Sequence, residues 1–170
     1  MIYLNIGSNL TSIFGDRFEN IRKSLSLLSQ NNIEIIKVSN FYETPSYPDK
    51  KKPMFANIGL LAKYNFSHTK LMKEIILIEK KIGRVLTNIN EPRVCDIDII
   101  DFNGLVLKRD NLQIPHPRLH LRNFVLFPLK EINTNWTHPI SKKKIDLLLS
   151  QLSQNSRIQI TRLDKSAIIS

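Results

Sequence analysis

One cysteine in 170 residues leaves no partner for an intramolecular disulfide, so the chain has to hold itself together by burial alone. That residue, Cys95, has Val94 and Ile97 for neighbours, the setting of a small buried hydrophobe rather than of a reactive thiol. No apolar run reaches the roughly 18 residues that cross a bilayer, and the start, Met1 to Ile6, is patterned like a strand with no basic segment and apolar stretch of a signal peptide. The expected setting is soluble and cytoplasmic, with no membrane partner. Acidic residues are also scarce, 15 against 25 Lys and Arg, for a formal charge of +10 and a pI near 9.8. That balance admits two partner classes, a nucleic acid or a polyanionic small molecule held within a basic surface. The densest runs, Lys50-Lys51-Lys52, Lys80-Lys81 and Lys142-Lys143-Lys144, contain no interleaved aromatic residues, which favours an ordinary solvated surface.

Neither an internal repeat nor a linker interrupts the chain, which reads as a single domain over 1–170. Its 42% hydrophobic content is enough for a core that buries about 70% of the unfolded surface. The pattern from Met1 to Ile6 is a strand, Gly7-Ser8-Asn9 a turn, and Phe18, Ile21, Leu25 and Leu28 one face of a helix. A second strand is expected over 33–42, a proline-rich loop over 44–53, and a third strand over 57–62. Ser67 can cap a helix with the stripe Leu71, Ile75, Ile78 and Ile82, and Gly83 can stop it. After an aperiodic loop over 84–92 comes an Asp-rich strand, then Asn103-Gly104, a two-residue hairpin turn into Leu105-Val106-Leu107. A short helix over 124–132, a helix capped by Ser141 and a last strand at Ile158 and Ile160 complete the expected order. Strand-helix-strand-strand-helix-strand points to an α+β fold, a ferredoxin-like sandwich with an antiparallel sheet, a C-terminal helix and long loops.

The chemistry concentrates in Arg93-Val94-Cys95-Asp96-Ile97-Asp98-Ile99-Ile100-Asp101. On a strand Asp96 and Asp98 share one face while Cys95, Ile97 and Ile99 turn to the other. Two adjacent carboxylates call for a cation, and magnesium takes one or two carboxylates and completes its shell with water and substrate phosphates. Arg93, just ahead, is a planar fork suited to phosphate oxygens. His116 and His120 have a spacing that would bind metal on a helix, but Pro115 and Pro117 argue against that helix and no third ligand is near.

Taken in order, Ile6-Gly7-Ser8-Asn9-Leu10, Tyr42-Glu43-Thr44-Pro45, Phe55-Ala56-Asn57, Ile78-Glu79 with Gly83-Arg84, Pro92-Arg93 with Asp96-Ile97-Asp98, and Pro115-His116 with Arg122 and Phe124 resemble the 6-hydroxymethyl-7,8-dihydropterin pyrophosphokinase family nearly end to end. The resemblance implies transfer of pyrophosphate from ATP to a pterin alcohol, with AMP as the other product. It implies that Asp96 and Asp98 hold two Mg²⁺ ions, with Asp96 the nearest acceptor for the hydroxyl proton. Arg84 and Arg93 correspond to loop arginines that meet the phosphates, and these four residues form the implied catalytic set. Glu79, Ile99, His116 and Arg122 join those arginines as the implied ATP contacts. Phe55 and Phe124 correspond to a stacking pair around the pterin, Asn57 to an in-plane amide, and Thr44 and Tyr47 to first-loop groups, with Asp96 beside them. A monomer without nucleic-acid partners is implied as well.

There are also departures from the family pattern. Leu86 stands where members often carry a second arginine, and the loop ending at Arg93 is one residue shorter. Ile89 and Asn90 stand near the position of a capping tryptophan, and Glu91 replaces a small residue. Either the loop closes more loosely or Asn90 supplies a polar contact. Two other readings compete: a basic ferredoxin-like nucleic-acid-binding module, and a family member without catalysis. The first lacks an aromatic RNP-type strand, since Ile58-Gly59-Leu60-Leu61 is aliphatic. The second sits poorly with the full complement of Asp96, Asp98, Arg84, Arg93 and His116.

Overall fold

Ile2, Leu4 and Ile6 alternate along the first strand, β1 (Ile2–Ser8), and each is at most 1% exposed. Their common face is the floor of the main core. The computed structural model describes residues 1–85, 91–109 and 112–168. Two helices cover that floor: α1 (Arg17–Gln30), through Ile21, Leu25 and Leu28, and α2 (His68–Ile82), through Leu71, Ile75, Ile78 and Ile82. Fully burying each such side chain contributes roughly 1.5–3 kcal/mol. Both helices begin at side-chain caps, Asp16 accepting from the Phe18 and Glu19 N–H groups and Ser67 from that of Lys70. Gly83 ends α2 in the left-handed conformation, φ 112°, which a side chain would disfavour.

The sheet runs β5-β1-β4-β3-β8 with β2 also on β4, and its pairings are antiparallel. Its members are β1, β2 (Glu34–Val38), β3 (Asn40–Thr44), β4 (Phe55–Lys63), β5 (Asp96–Phe102) and β8 (Thr161–Ser166). This is the expected α+β, ferredoxin-like arrangement. Its opposite face carries a second core, built from α3 (Asn123–Ile132) and α4 (Ile145–Gln151) packed with Trp136, Tyr3 and Leu61.

Four expectations need correction. The second strand is two strands, because the Ser39 hydroxyl accepts from the Gly59 N–H at 2.9 Å and donates to the Asn40 carbonyl at 2.8 Å, breaking the run between β2 and β3. Asn103 and Gly104 do form a turn, with φ 52° and 71°, yet it does not pair the Asp-rich strand with the next segment. Leu107–Arg109 (β6) instead pairs with Leu112–Ile114 (β7) in a separate ribbon, and β5 pairs with β1. Ser141 caps no helix, since α4 begins at Ile145 after Lys144. Ile158 closes the short helix α5 (Gln154–Ile158), and the last strand, β8, starts at Thr161.

Alternation along β5 holds where it matters most. Cys95, Ile97 and Ile99 lie in the main core, opposite the face of Asp96 and Asp98. The register then skips one residue, Leu4 facing Ile99 and Tyr3 facing Asp101. Ile100 is the extra residue of this bulge. It joins the second core, and Asp101 is left to accept from the Trp136 indole at 3.0 Å and the Gly104 N–H at 2.8 Å.

Candidate active site

Across the sheet one row reads Tyr42, Asn57, Gly7, Asp96, and the next reads Gly59, Asn5, Asp98. The face is the one on which α3 packs. The missing side chain at Gly7 opens a gap between an amide and a carboxylate: a Cβ there would lie 2.9 Å from Asn57 Oδ1 and 3.8 Å from the Phe55 ring. Asn57, 3% exposed, donates to Thr44 Oγ1 at 3.2 Å. Phe124 stands in the first turn of α3 with the Arg122 guanidinium 5.4 Å from its ring centre. Phe55, Asn57, Thr44 and Phe124 thus come from three separate elements to one end of the sheet, beside Asp96. Tyr47 stays apart from this group, 82% exposed.

Arginines surround the two carboxylates. Arg84 reaches Asp96 Oδ1 at 2.8 Å and also pairs with Glu79, Arg93 reaches Asp96 Oδ2 at 2.5 Å, and Arg122 reaches Asp98 Oδ2 at 3.3 Å. The Asp96 and Asp98 side chains keep 24% and 27% of their exposure, so a ligand can reach them. Burial and the neighbouring Asp96 charge push the Asp98 carboxyl up, against the pull of Arg122. Glu79 is 6% exposed and accepts from the Ile97 N–H at 2.7 Å. Burial pushes it up to about 7, with Arg84 and that N–H opposing. For Arg84, burial pulls the guanidinium pKa down, but Asp96 and Glu79 together leave it raised. Ile99 turns its side chain into the core, so only its main chain could meet a nucleotide.

His116 shows the other half of the charge arrangement. Burial, then Arg122 and Arg118, pull its imidazole down to about 4, so it is neutral. Its Nδ1 accepts from the Arg118 N–H at 3.2 Å, which leaves the proton on Nε2. That nitrogen faces Arg122 Nη1 at 3.3 Å. With Nε2 protonated, two donors lie side by side, an arrangement that an anionic oxygen bonded to both would relieve.

Sequence reasoning missed the role of Asn9, which it read as a turn residue. Its side chain, 3% exposed, accepts from the Arg93 N–H at 2.7 Å and donates to Ser46 Oγ at 3.2 Å and the Pro53 carbonyl at 3.0 Å. Its own N–H donates to the Arg93 carbonyl at 3.0 Å, and Ser8 Oγ to the Val94 carbonyl at 2.6 Å. One amide thereby ties the 44–53 loop to the segment that carries Arg93. Glu91 joins the same two stretches by accepting from Lys52 Nζ at 3.0 Å. Gly7-Ser8-Asn9 reads locally as a turn, and the partners of Asn9 lie on segments about 40 and 80 residues away along the chain. The differences at Leu86, Ile89 and Asn90 lie outside the described residues.

The donor set suits magnesium. Among the described residues no cluster of three or more His, Cys, Asp or Glu side chains could enclose a metal. Two partly exposed carboxylates on one strand would leave most of a coordination shell to water and phosphate, as Mg²⁺ prefers. No helix among the described residues is long and apolar enough to cross a membrane.

Residues 3–134 match the family model described as 7,8-dihydro-6-hydroxymethylpterin-pyrophosphokinase (HPPK). A 2-amino-4-hydroxy-6-hydroxymethyldihydropteridine pyrophosphokinase of Aquifex aeolicus is 35% identical over 144 residues, 85% of this chain and 87% of that protein. The folic acid synthesis protein FOL1 of Dictyostelium discoideum is 41% identical over 139 residues, 82% of this chain but 20% of that longer protein. The chain thus spans about a fifth of the length of some relatives and most of the length of others. Among solved structures, Plasmodium falciparum HPPK-DHPS with pterin and p-hydroxybenzoate superposes with a TM-score of 0.70 over 95% of this chain and 46% of that one, at 15% identity, which bears on the fold alone. By the extent of the family match and the identity to the Aquifex protein, this chain belongs to the 7,8-dihydro-6-hydroxymethylpterin-pyrophosphokinase family.

Proposed function

We propose that this chain transfers pyrophosphate from ATP to the hydroxyl of 6-hydroxymethyl-7,8-dihydropterin, releasing AMP and the pterin diphosphate in folate synthesis. The observation that carries the reading is the single row in which Asn57 and Asp96 face each other across Gly7, with Arg84, Arg93 and Arg122 converging on the carboxylates. A flat heterocycle has an amide partner at one end of that row, and a polyphosphate has cations at the other.

Asp96 and Asp98 would hold two Mg²⁺ ions, which supply charge neutralisation across the phosphates and make the attacking hydroxyl more acidic. The chain's own groups do the rest. Phe55 and Phe124 would sandwich the pterin, and Asn57 would read its edge by donating and accepting at once. Arg84 and Arg93 would leave Asp96 for phosphate oxygens, and Arg122 with His116 Nε2–H would grip the chain of phosphates beyond them. Glu79 would steady Arg84 and the β5 backbone at Ile97. Main-chain groups of Ile99 and of the loop holding Tyr47 would complete the ATP and pterin sites. The pterin oxygen would attack the β-phosphorus in line, the bond to the α-phosphate oxygen would break, and the hydroxyl proton would pass to Asp96. The unit acting in this way is 1–170, working as a cytoplasmic monomer.

The nucleic-acid reading has less behind it: the site's carboxylates repel phosphodiesters, and the middle of β4, Ile58-Gly59-Leu60-Leu61, is aliphatic where an RNP-type strand would carry stacking rings. The test is to incubate the protein with ATP, Mg²⁺ and the pterin alcohol. AMP should form only when the pterin is present. Release of ADP, or nucleotide turnover indifferent to pterin, would sink the proposal. Asp96→Ala and Asp98→Ala should each nearly abolish turnover with the fold intact by circular dichroism.

A further inference from the structure

Position 128 of α3 is a proline inside the helix. In an α-helix the N–H of residue 128 would donate to the carbonyl of residue 124. Pro128 has no N–H, and its ring crowds that same carbonyl. The Phe124 carbonyl is therefore orphaned within its own helix, where an unpaired buried acceptor is costly.

Asn5 on β1 takes it. The Asn5 side chain is 4% exposed, and in the amide orientation that suits its surroundings its nitrogen donates to the Phe124 carbonyl at 2.9 Å and to the Ile58 carbonyl at 3.2 Å. The approach depends on Gly59, the register partner of Asn5 on β4. A Cβ at Gly59 would lie 3.0 Å from both the Cβ and the carbonyl carbon of Pro128, closer than packed carbons tolerate. Glycine lets the proline settle against the sheet and brings the freed carbonyl within reach. The other main-chain handle of Phe124 is held in the same fashion, its N–H donating to Asn123 Oδ1 at 2.7 Å while Asn123 Nδ2 donates to the Ser156 carbonyl at 2.6 Å. Two side-chain amides, rather than the helix, fix this residue.

We propose that Asn5 is a positioning residue for pterin binding, acting through the carbonyl that Pro128 leaves free to set the plane of the Phe124 ring. This rests on the reading of Phe124 as a pterin-stacking ring. The substrate does not touch Asn5, and a role in stability alone would lower the melting temperature without selecting between substrates.

A double-mutant cycle separates these cases. Pterin affinity is measured by titration with Mg²⁺ and a non-hydrolysable ATP analogue present, and the affinity for that analogue is measured alone. Asn5→Ala should weaken pterin binding about five- to tenfold and leave analogue binding within about twofold. Pro128→Ala restores an N–H to the helix, so the same Asn5 change made in that background should cost less than about twofold. Should Asn5→Ala not fold, Asn5→Thr, of similar volume but with its donor drawn back to β1, is read in the same two backgrounds. Equal losses with and without Pro128, or a lowered melting temperature with unchanged pterin affinity, would overturn the proposal. Phe124→Ala serves as the separate control: unchanged pterin affinity in that variant would discard the stacking reading itself, whatever Asn5 does.

Discussion

Gly7→Ala adds one methyl group to the floor of the site, and its effect can be worked through from the geometry. Gly7 lies in the extended backbone of β1 and is not among the glycines with positive φ, so the main chain accepts alanine. The new Cβ would meet Asn57 Oδ1 at 2.9 Å, and clearing it to ordinary contact moves that oxygen by about 0.5 Å. Asn57 sits on a buried strand and is bonded to Thr44 Oγ1 at 3.2 Å, so the amide has to give up part of that bond to move. The fold loses about 1 kcal/mol from the strained bond and regains about 0.5–1 kcal/mol from replacing a strand glycine, so the melting temperature should hardly change. An amide that both donates to and accepts from the pterin loses register at two hydrogen bonds, about 1–3 kcal/mol in all, or roughly 5- to 150-fold in Kd. Calorimetric titration of pterin into protein saturated with a non-hydrolysable ATP analogue and Mg²⁺ measures it directly. A pterin Kd within twofold of the parent would refute the reasoning that Asn57 reads the pterin across Gly7.

The half-buried, neutral His116 makes stability depend on pH. Its folded pKa, about 4 against 6.5 for the free side chain, is the lowered one, so below about 6.5 the unfolded chain takes up the proton first and stability falls toward pH 4, by at most about 3 kcal/mol. The stability difference between parent and His116→Gln should accordingly shrink as pH drops from 7.5 to 4, followed by urea titration; a flat or growing difference would contradict the burial of a neutral imidazole. Lys52 and Glu91 form a half-exposed pair, which is worth about 0.2–1 kcal/mol. Glu91→Gln should raise the pterin KM no more than about fivefold at low salt and make no difference at high salt, whereas a salt-independent loss would point to another role. Cys95 is 0% exposed and its thiol is pushed up by burial, with Glu79 and Asp96 adding to the effect. It should therefore resist thiol reagents until the protein is unfolded, and rapid labelling of the native form would show that β5 opens.

Period-2 alternation made the Asp96/Asp98 face readable in the sequence, and Ser67 with Gly83 made the limits of α2 readable, because in each case one residue decides the outcome locally. Pairing was not local. Asn103-Gly104 specifies a turn but not what the returning chain meets, and here β5 stays the end strand of the sheet, paired with β1, while Leu107–Arg109 pairs with Leu112–Ile114. Ser39 breaks a run rich in β-branched and aromatic residues through a bond to Gly59, twenty residues away, which no pattern over 33–42 could reveal. In the site, charged residues announced themselves by type, whereas the amides at Asn5 and Asn9 act through main-chain partners on distant segments and carry no signature of their own. The alternation along β5 also misleads after Ile99, since a bulge depends on the neighbouring strand.

The ion cluster around Asp96 and Asp98 has a thermodynamic consequence. With Arg84, Arg93 and Arg122 occupied by these carboxylates, a divalent cation arriving alone would displace guanidinium groups from Asp96 and Asp98, leaving Arg84 with Glu79 alone and Arg93 and Arg122 without these partners, and a polyphosphate arriving alone would strip the cations from the two carboxylates. Each guest supplies the counter-charge that the other leaves wanting. Under the proposed function, metal and nucleotide affinities would thus be linked with positive sign, each tightening the other by the same factor, and the site would select the metal–nucleotide complex over either component.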